Sequence, residues 1–324
     1  MKFIASEFDS NSIKVGVSAC VVGQPVRFDG GHKQSTFAQS DLSPFVEYVP
    51  VCPEVAIGMG VPRPTIRLVD HDGDIRVQGS TKKEIDVTED LRAFSHEQVT
   101  HLNGLSGYIV CAKSPTCGFQ RIKIYHPEGH LLTNDSAGVY TQALMKAHPL
   151  LPIEDNGRLC DPVLKENFVT RVFAYHDWQT MVASGITPQK MVEFHSRYKF
   201  LVMANHVPSY RMLGELLGDL KRAPLEDIAD EYIAGLMFAL TQRPGRKGNT
   251  NALMHLQGYF KRFIGSDERQ ALADVIDKYR VGELPLMAPI TLLRHLLVKF
   301  PNQYLSQQVY LKPYPDKLAL RNLL

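Results

Sequence analysis

Apolar and polar positions change rhythm once along this chain of 324 residues. Up to about residue 160, short apolar and β-branched runs alternate with loops rich in glycine and proline; beyond Asp161 apolar residues recur at helical spacing and no strand pattern competes. In the first part, Ile13 to Ser18, Phe45 to Val51 and Gly107 to Val110 predict strands, and Thr65 to Val77 predicts a hairpin turning at residues 70–74. Helices are predicted over residues 36–44, 86–102 (with Thr88 as N-cap) and 136–148. In the second part, Asp161-Pro162 and Thr187-Pro188 each read as an N-cap followed by proline at the first helical position. Further helices are predicted over 209–220, 226–241, 251–263, 267–280 and 289–299, while the proline-interrupted tail, 309–324, is expected to drape over the surface. The pattern therefore predicts two domains. Residues 1–158 form an α/β domain with an open, mostly parallel (Rossmann-like) sheet, and residues 159–324 form an all-α domain.

Composition narrows the class without naming a function. With 44% hydrophobic and 22% charged residues, the chain is an ordinary globular one. No stretch is apolar for long enough to span a bilayer, and the first residues turn acidic at Glu7 without a signal peptide's apolar core, so a cytoplasmic protein is expected. The net charge of +2 hides an asymmetry. Residues 1–160 carry 15 Lys and Arg against 18 Asp and Glu, a net −3, whereas residues 161–324 carry 21 against 16, a net +5. An anionic partner would be held on the helical side. There a loop is predicted over 242–249, with Arg243, Arg246 and Lys247, close in sequence to Lys261 and Arg262, with Tyr259 and Phe260 as rings for stacking bases. No segment points to an obligate protein partner.

Five cysteines, an odd number spread from Cys20 to Cys160, do not make a disulfide framework. Cys20 and Cys52 follow directly on predicted strands, and Cys117 lies on a loop just past a third. If those strands are parallel, the three thiols meet outside their carboxyl ends, where open α/β sheets bind ligands. Glu54, Lys113 and Ser114 would share that crevice, and the loop 21–33 offers Arg27, Asp29, His32 and Lys33. No Cys-x-x-Cys favours zinc and no Gly-x-Ser-x-Gly favours a serine nucleophile. The acidic turn at 70–74 lacks the distal Glu of a calcium loop. Three widely spaced thiols suit an iron–sulfur cluster with one iron left open as a Lewis acid for a soft, sulfur-bearing ligand; the plain alternative is burial of free cysteines.

Ser18-Ala-Cys20 with Gly23, Arg27-Phe-Asp-Gly-Gly-His-Lys33, Cys52-Pro-Glu54 with Pro62-Arg-Pro64, and Lys113-Ser-Pro-Thr-Cys-Gly118 together resemble the thiouracil desulfidase (TudS) family. Phe194-His-Ser-Arg-Tyr-Lys199 and Leu201 to His206 resemble the YbgA-type helical domain. The fusion resembles bacterial desulfidases acting on 4-thiouridine in transfer RNA. The resemblance implies a [4Fe–4S] cluster held by Cys20, Cys52 and Cys117 with one open iron. It also implies replacement of sulfur by water on a thiolated pyrimidine, with release of hydrogen sulfide and no net redox change. Glu54, Ser114, Lys113 and Asp29 match family motif positions, and proton transfer and substrate orientation are the roles expected of them. Cys111 and Cys160 fall outside the ligand positions and are expected to be structural. Two alternatives stay open: a desulfidase of free 2-thiouracil, and a non-catalytic RNA-binding protein whose cluster is structural, which a fourth protein ligand would favour.

Overall fold

The computed structural model describes residues 13–323, so the amino-terminal segment read above for a signal peptide lies outside the described residues. Two compact units divide after Asp161.

Among the described residues the first unit holds eight strands: β1 (Lys14–Ser18), β2 (Glu47–Val51), β3 (Ile66–His71), β4 (Asp74–Gly79), β5 (Leu105–Val110), β6 (Ile124–Tyr125), β7 (Leu131–Thr133) and β8 (Ile153–Asp155). One sheet runs β2-β1-β5-β8, with every neighbouring pair parallel. Its central strands are apolar on both faces, as a sheet covered on both sides demands; Val15, Val17, Ile109 and Val110 are fully buried. The chain steps outward from β1 to β2, then returns to the other side of β1 at β5. That reversal makes the carboxyl ends of β1 and β5 the switch point where a crevice opens. The fold is the expected α/β sheet followed by helices.

The second sheet runs β4-β3-β6-β7 and contains the predicted hairpin, whose turn places both Asp72 and Gly73 at positive φ, +53° and +95°. Helix α1 (Pro53–Ala56) follows β2, α2 (Thr88–His101) follows the hairpin, and α3 (Val139–Ala147) precedes β8. Thr88 is not the N-cap of α2. Its hydroxyl accepts from Val77 N at 2.8 Å, and Asp86 accepts from its backbone N–H at 3.0 Å and its hydroxyl at 2.6 Å. Residues 37–42 wind as a π-helix rather than an α-helix.

The second unit is helical: α4 (Pro162–Ala183), α5 (Pro188–Asn205), α6 (Val207–Gly218), α7 (Leu225–Thr241), α8 (Arg246–Gly258), α9 (Ser266–Val281) and α10 (Met287–Lys299). Thr187 caps α5 by accepting from Lys190 N. Aromatic side chains fill the core, with Trp178 stacked on Tyr232 at 5.4 Å between ring centroids. Two expectations fail here. The tail does not drape over the surface, because Tyr310 is fully buried and hydrogen-bonds Asn249 Oδ1 at 3.1 Å. Arg321 lies buried against Glu166 at 2.8 Å. Half of the stretch 242–249 is helix, because α8 starts at Arg246, whose guanidinium donates to Tyr279 O at 2.7 Å.

Candidate metal centre

β1 runs into a short 3₁₀ turn, Ala19–Val22, that carries Cys20, and Lys33 N donates to Cys20 O at 2.8 Å. β2 delivers Cys52 at the start of α1, where Pro53 occupies the first helical position and Glu54 the second. β5 ends at Val110, followed at once by Cys111 and by a loop with Lys113 at φ +63°. Ser114 Oγ accepts from Thr116 N at 3.2 Å and Cys117 N at 3.0 Å, folding the loop so that Cys117 turns inward. The start of α3 clamps that loop from outside. Gly138, Val139 and Tyr140 donate to the carbonyls of Gly118, Pro115 and Thr116, and the Thr141 hydroxyl donates to Cys117 O at 2.6 Å.

Gly138 is the close-contact point of this clamp. A Cβ there would meet Thr116 O at 2.4 Å and Cys117 N at 2.8 Å, both backbone atoms that cannot swing away. Gly138→Ala is therefore expected to push the Cys117 loop outward. Thermal unfolding should show a loss of about 1–3 kcal/mol, the range for overpacking, and iron content should fall in step.

Cys20, Cys52, Cys111 and Cys117 line one cavity of about 510 Å³, together with Glu54, Lys113 and Ser114. All four are free thiols. Burial pushes the Cys52 and Cys117 thiols up. Hydrogen bonding between Cys20 and Cys111 pushes Cys20 up and Cys111 down, and the Arg27 guanidinium, 3.8 Å from Cys111 Sγ, adds to the fall. Glu54 is held by Arg63, whose Nε and Nη2 both reach Oε2, at 2.8 and 2.7 Å, while Nη1 donates to Gly60 O at 3.0 Å. With side chains only 3% and 14% exposed, this pair fixes Glu54 as an oriented carboxylate and leaves Oε1 outside the pairing.

Asp29 is not on the cavity wall. It closes the turn before Gly31, accepting that residue's N–H at 3.0 Å, with its side chain 52% exposed. The Gly31 N–H also holds its carboxyl below the usual range. Cys160 is exposed and away from the cavity. Sequence reasoning missed Arg63 as the partner of Glu54, Asn156, whose Oδ1 accepts from Ala112 N at 2.9 Å, and Gly138. Nothing in residue spacing marks Gly138, whereas the strand-end position of Cys111, beside that of Cys20, was visible.

The donor set fits a cluster better than a single ion. Among the described residues, the one group of three His, Cys, Asp or Glu donor atoms within 4.8 Å of one another is His126, Glu128 and His130, on the β6–β7 turn. The cavity thiols lie on a common wall but do not close on one point. Soft donors spread this way match a ligand of several metal atoms.

In the helical unit, Arg243, Lys247, Lys261 and Arg262 are exposed, Arg246 is tied to Tyr279, and Phe260 is buried and unavailable for stacking. Tyr259 stacks on Tyr304 at 5.5 Å. A depression nearby is lined by Tyr210, Arg211, Lys247 and His255.

The first unit is thus an α/β domain with a thiol-lined cavity at the switch point of a parallel sheet. Residues 15–156 match the 2-thiouracil desulfurase family and residues 199–315 match a family described as protein of unknown function DUF1722, so the chain joins a TudS-type domain to a YbgA-type domain. The uncharacterized protein YbgA of Escherichia coli (strain K12) is 36% identical over 158 residues, covering 48% of this chain and 94% of YbgA. A solved structure titled [4Fe-4S]-dependent thiouracil desulfidase TudS aligns at 27% identity over 46% of this chain and 93% of that one, with a TM-score of 0.36. No helix among the described residues is long and apolar enough to cross a membrane.

Proposed function

We propose that this chain is a [4Fe–4S]-dependent desulfidase that removes sulfur from a thiolated pyrimidine, with 4-thiouridine in transfer RNA as its substrate. Cys20, Cys52 and Cys117 would hold the cluster, which would supply a Lewis acid for the substrate's sulfur. The observation that carries this reading is the spread of cavity thiols beside one oriented carboxylate, in a domain of the desulfurase family.

The reaction exchanges sulfur for oxygen at one ring carbon. Water supplies the oxygen, the carbon–sulfur bond breaks, and water's two protons leave with the sulfur as hydrogen sulfide; no electrons enter or leave. Glu54, held by Arg63, takes a proton from the attacking water through Oε1 and returns it to the departing sulfur. Ser114 already accepts two backbone N–H groups, so its hydroxyl proton is free to donate to the pyrimidine edge. Lys113, on the same wall, offsets negative charge gathering on the ring.

The helical domain gives the polyanion its place, through the exposed cations Arg243, Lys247, Lys261 and Arg262. Each phosphate neutralised steepens the salt dependence by roughly 0.7 to 0.9 in log–log slope. Desulfuration of thiolated transfer RNA should fall steeply as salt rises, whereas a free thiopyrimidine should be nearly indifferent. A variant neutralised at Arg243, Lys247 and Lys261 should lose about 2–3 of that slope and keep full activity on the free base. Equal salt profiles for the two substrates would move the preference to free thiopyrimidines.

A further inference from the structure

The cavity holds one thiol more than the three assigned to the cluster. Cys111 was expected to be structural, yet it lines the same cavity as Cys20. Their meeting follows from the sheet. β1 and β5 are parallel neighbours with Val17 opposite Ile109, and the chain reaches Cys20 three residues past Val17 and Cys111 two residues past Ile109, so both thiols follow the carboxyl ends of neighbouring strands. Cys111 N donates to Ser18 Oγ at 3.0 Å, tying the two strand ends together just there. Both side chains are buried in the protein but reach the cavity, where a small solute can meet them.

This placement makes Cys111 a poor fourth ligand. Thiols that hold different irons of one cluster are kept apart by the metal and sulfide atoms between them, whereas Cys20 and Cys111 follow the ends of two directly paired strands. Adjacent strands stand about 4.8 Å apart, within the Cα separation of roughly 4.4–6.8 Å that a disulfide spans.

We propose that Cys20 and Cys111 form a reversible disulfide when the cluster is absent, a modification site that stores a cluster ligand in a protected form. The inference rests on the cluster reading only for what the bond protects; the pairing itself needs no iron. With a small disulfide such as oxidised glutathione as oxidant, one protein thiolate attacks a glutathione sulfur and releases one glutathione thiol. The second protein thiol then attacks the mixed disulfide and releases the other. Two protein thiols are oxidised and two glutathione thiols are formed. Joined in this way, Cys20 is barred from the irreversible sulfinic and sulfonic stages of oxidation. Cys160 is exposed, does not line the cavity and stops at the mixed disulfide.

The test treats full-length protein with oxidised glutathione, once as purified without oxygen and once after chelation of its iron, then alkylates free thiols and maps peptides by mass spectrometry. The chelated protein should yield a peptide pair joined through Cys20 and Cys111, 2 Da lighter than its parts. It should refuse iron until a dithiol reductant opens the bond, and the iron-loaded sample should lack the bond. Cys111→Ser should form no internal disulfide, and its Cys20 should be recovered free or as a glutathione adduct. A Cys52–Cys117 bond, or separate recovery of Cys20 and Cys111 from chelated wild type, would overturn the proposal. Iron counted in the untreated anaerobic sample judges the cluster reading separately, since the disulfide map has the same meaning whether or not iron was present.

Discussion

Cys20→Ala, Cys52→Ala and Cys117→Ala are each expected to remove the iron and all detectable desulfuration from an otherwise folded protein. Each thiol ends a different segment of one frame: the turn after β1, the start of α1 after β2, and the clamped loop after β5. Apart from Cys111, the remaining wall offers oxygen and nitrogen groups that bind iron–sulfur clusters less well than thiolates. Cys160→Ala should keep both iron and activity. Cys111→Ala should keep iron when purified without oxygen. If Cys111→Ala loses iron like the other three, Cys111 is a ligand, and the non-catalytic reading with a four-ligand cluster gains the support this account denies it. The readout is iron and acid-labile sulfide per chain, with circular dichroism confirming that each variant is folded.

Glu54→Gln is expected to keep its iron and lose on the order of 10²- to 10⁴-fold in rate, the usual cost of a missing proton-transfer group. The amide preserves shape but cannot accept the water's proton. The arrangement also predicts that Arg63 matters through Glu54. Breaking a buried pair by removing one partner costs about 3–5 kcal/mol, so Arg63→Met should destabilise the first domain as well as slow the reaction. The double variant Arg63→Met with Glu54→Gln should be more stable than Arg63→Met alone, because no uncompensated charge stays buried. Full activity in Glu54→Gln would move the proton-transfer role to Ser114 or Lys113.

Much of this site was legible because parallel strands write themselves plainly. β1, β2 and β5 are largely apolar runs, each followed within two residues by a cysteine, so their carboxyl ends, and hence Cys20, Cys52 and Cys117, could be placed together from the sequence. Strands of two or three residues, such as β6, β7 and β8, carry too few positions to show a period, and their pairing is set by tertiary neighbours. Asp29 was misplaced because a motif position does not reveal which way a turn faces; the Gly31 N–H draws its carboxylate back onto the loop. The tail read as surface because prolines break periodicity, yet Tyr310 and Arg321 reach buried partners that only the folded helices provide. Helix starts marked by proline were the most secure, since proline at a first turn fixes the backbone locally.

The most direct test of the central claim is to incubate anaerobically purified protein with 4-thiouridine-bearing transfer RNA in ¹⁸O-labelled water, with no electron donor or acceptor. The account predicts one sulfide released per uridine formed, with the label on the pyrimidine carbon that carried sulfur, over many turnovers. Protein carrying its full iron and sulfide that releases no sulfide from this transfer RNA, from 4-thiouridine or from free 2-thiouracil would contradict it.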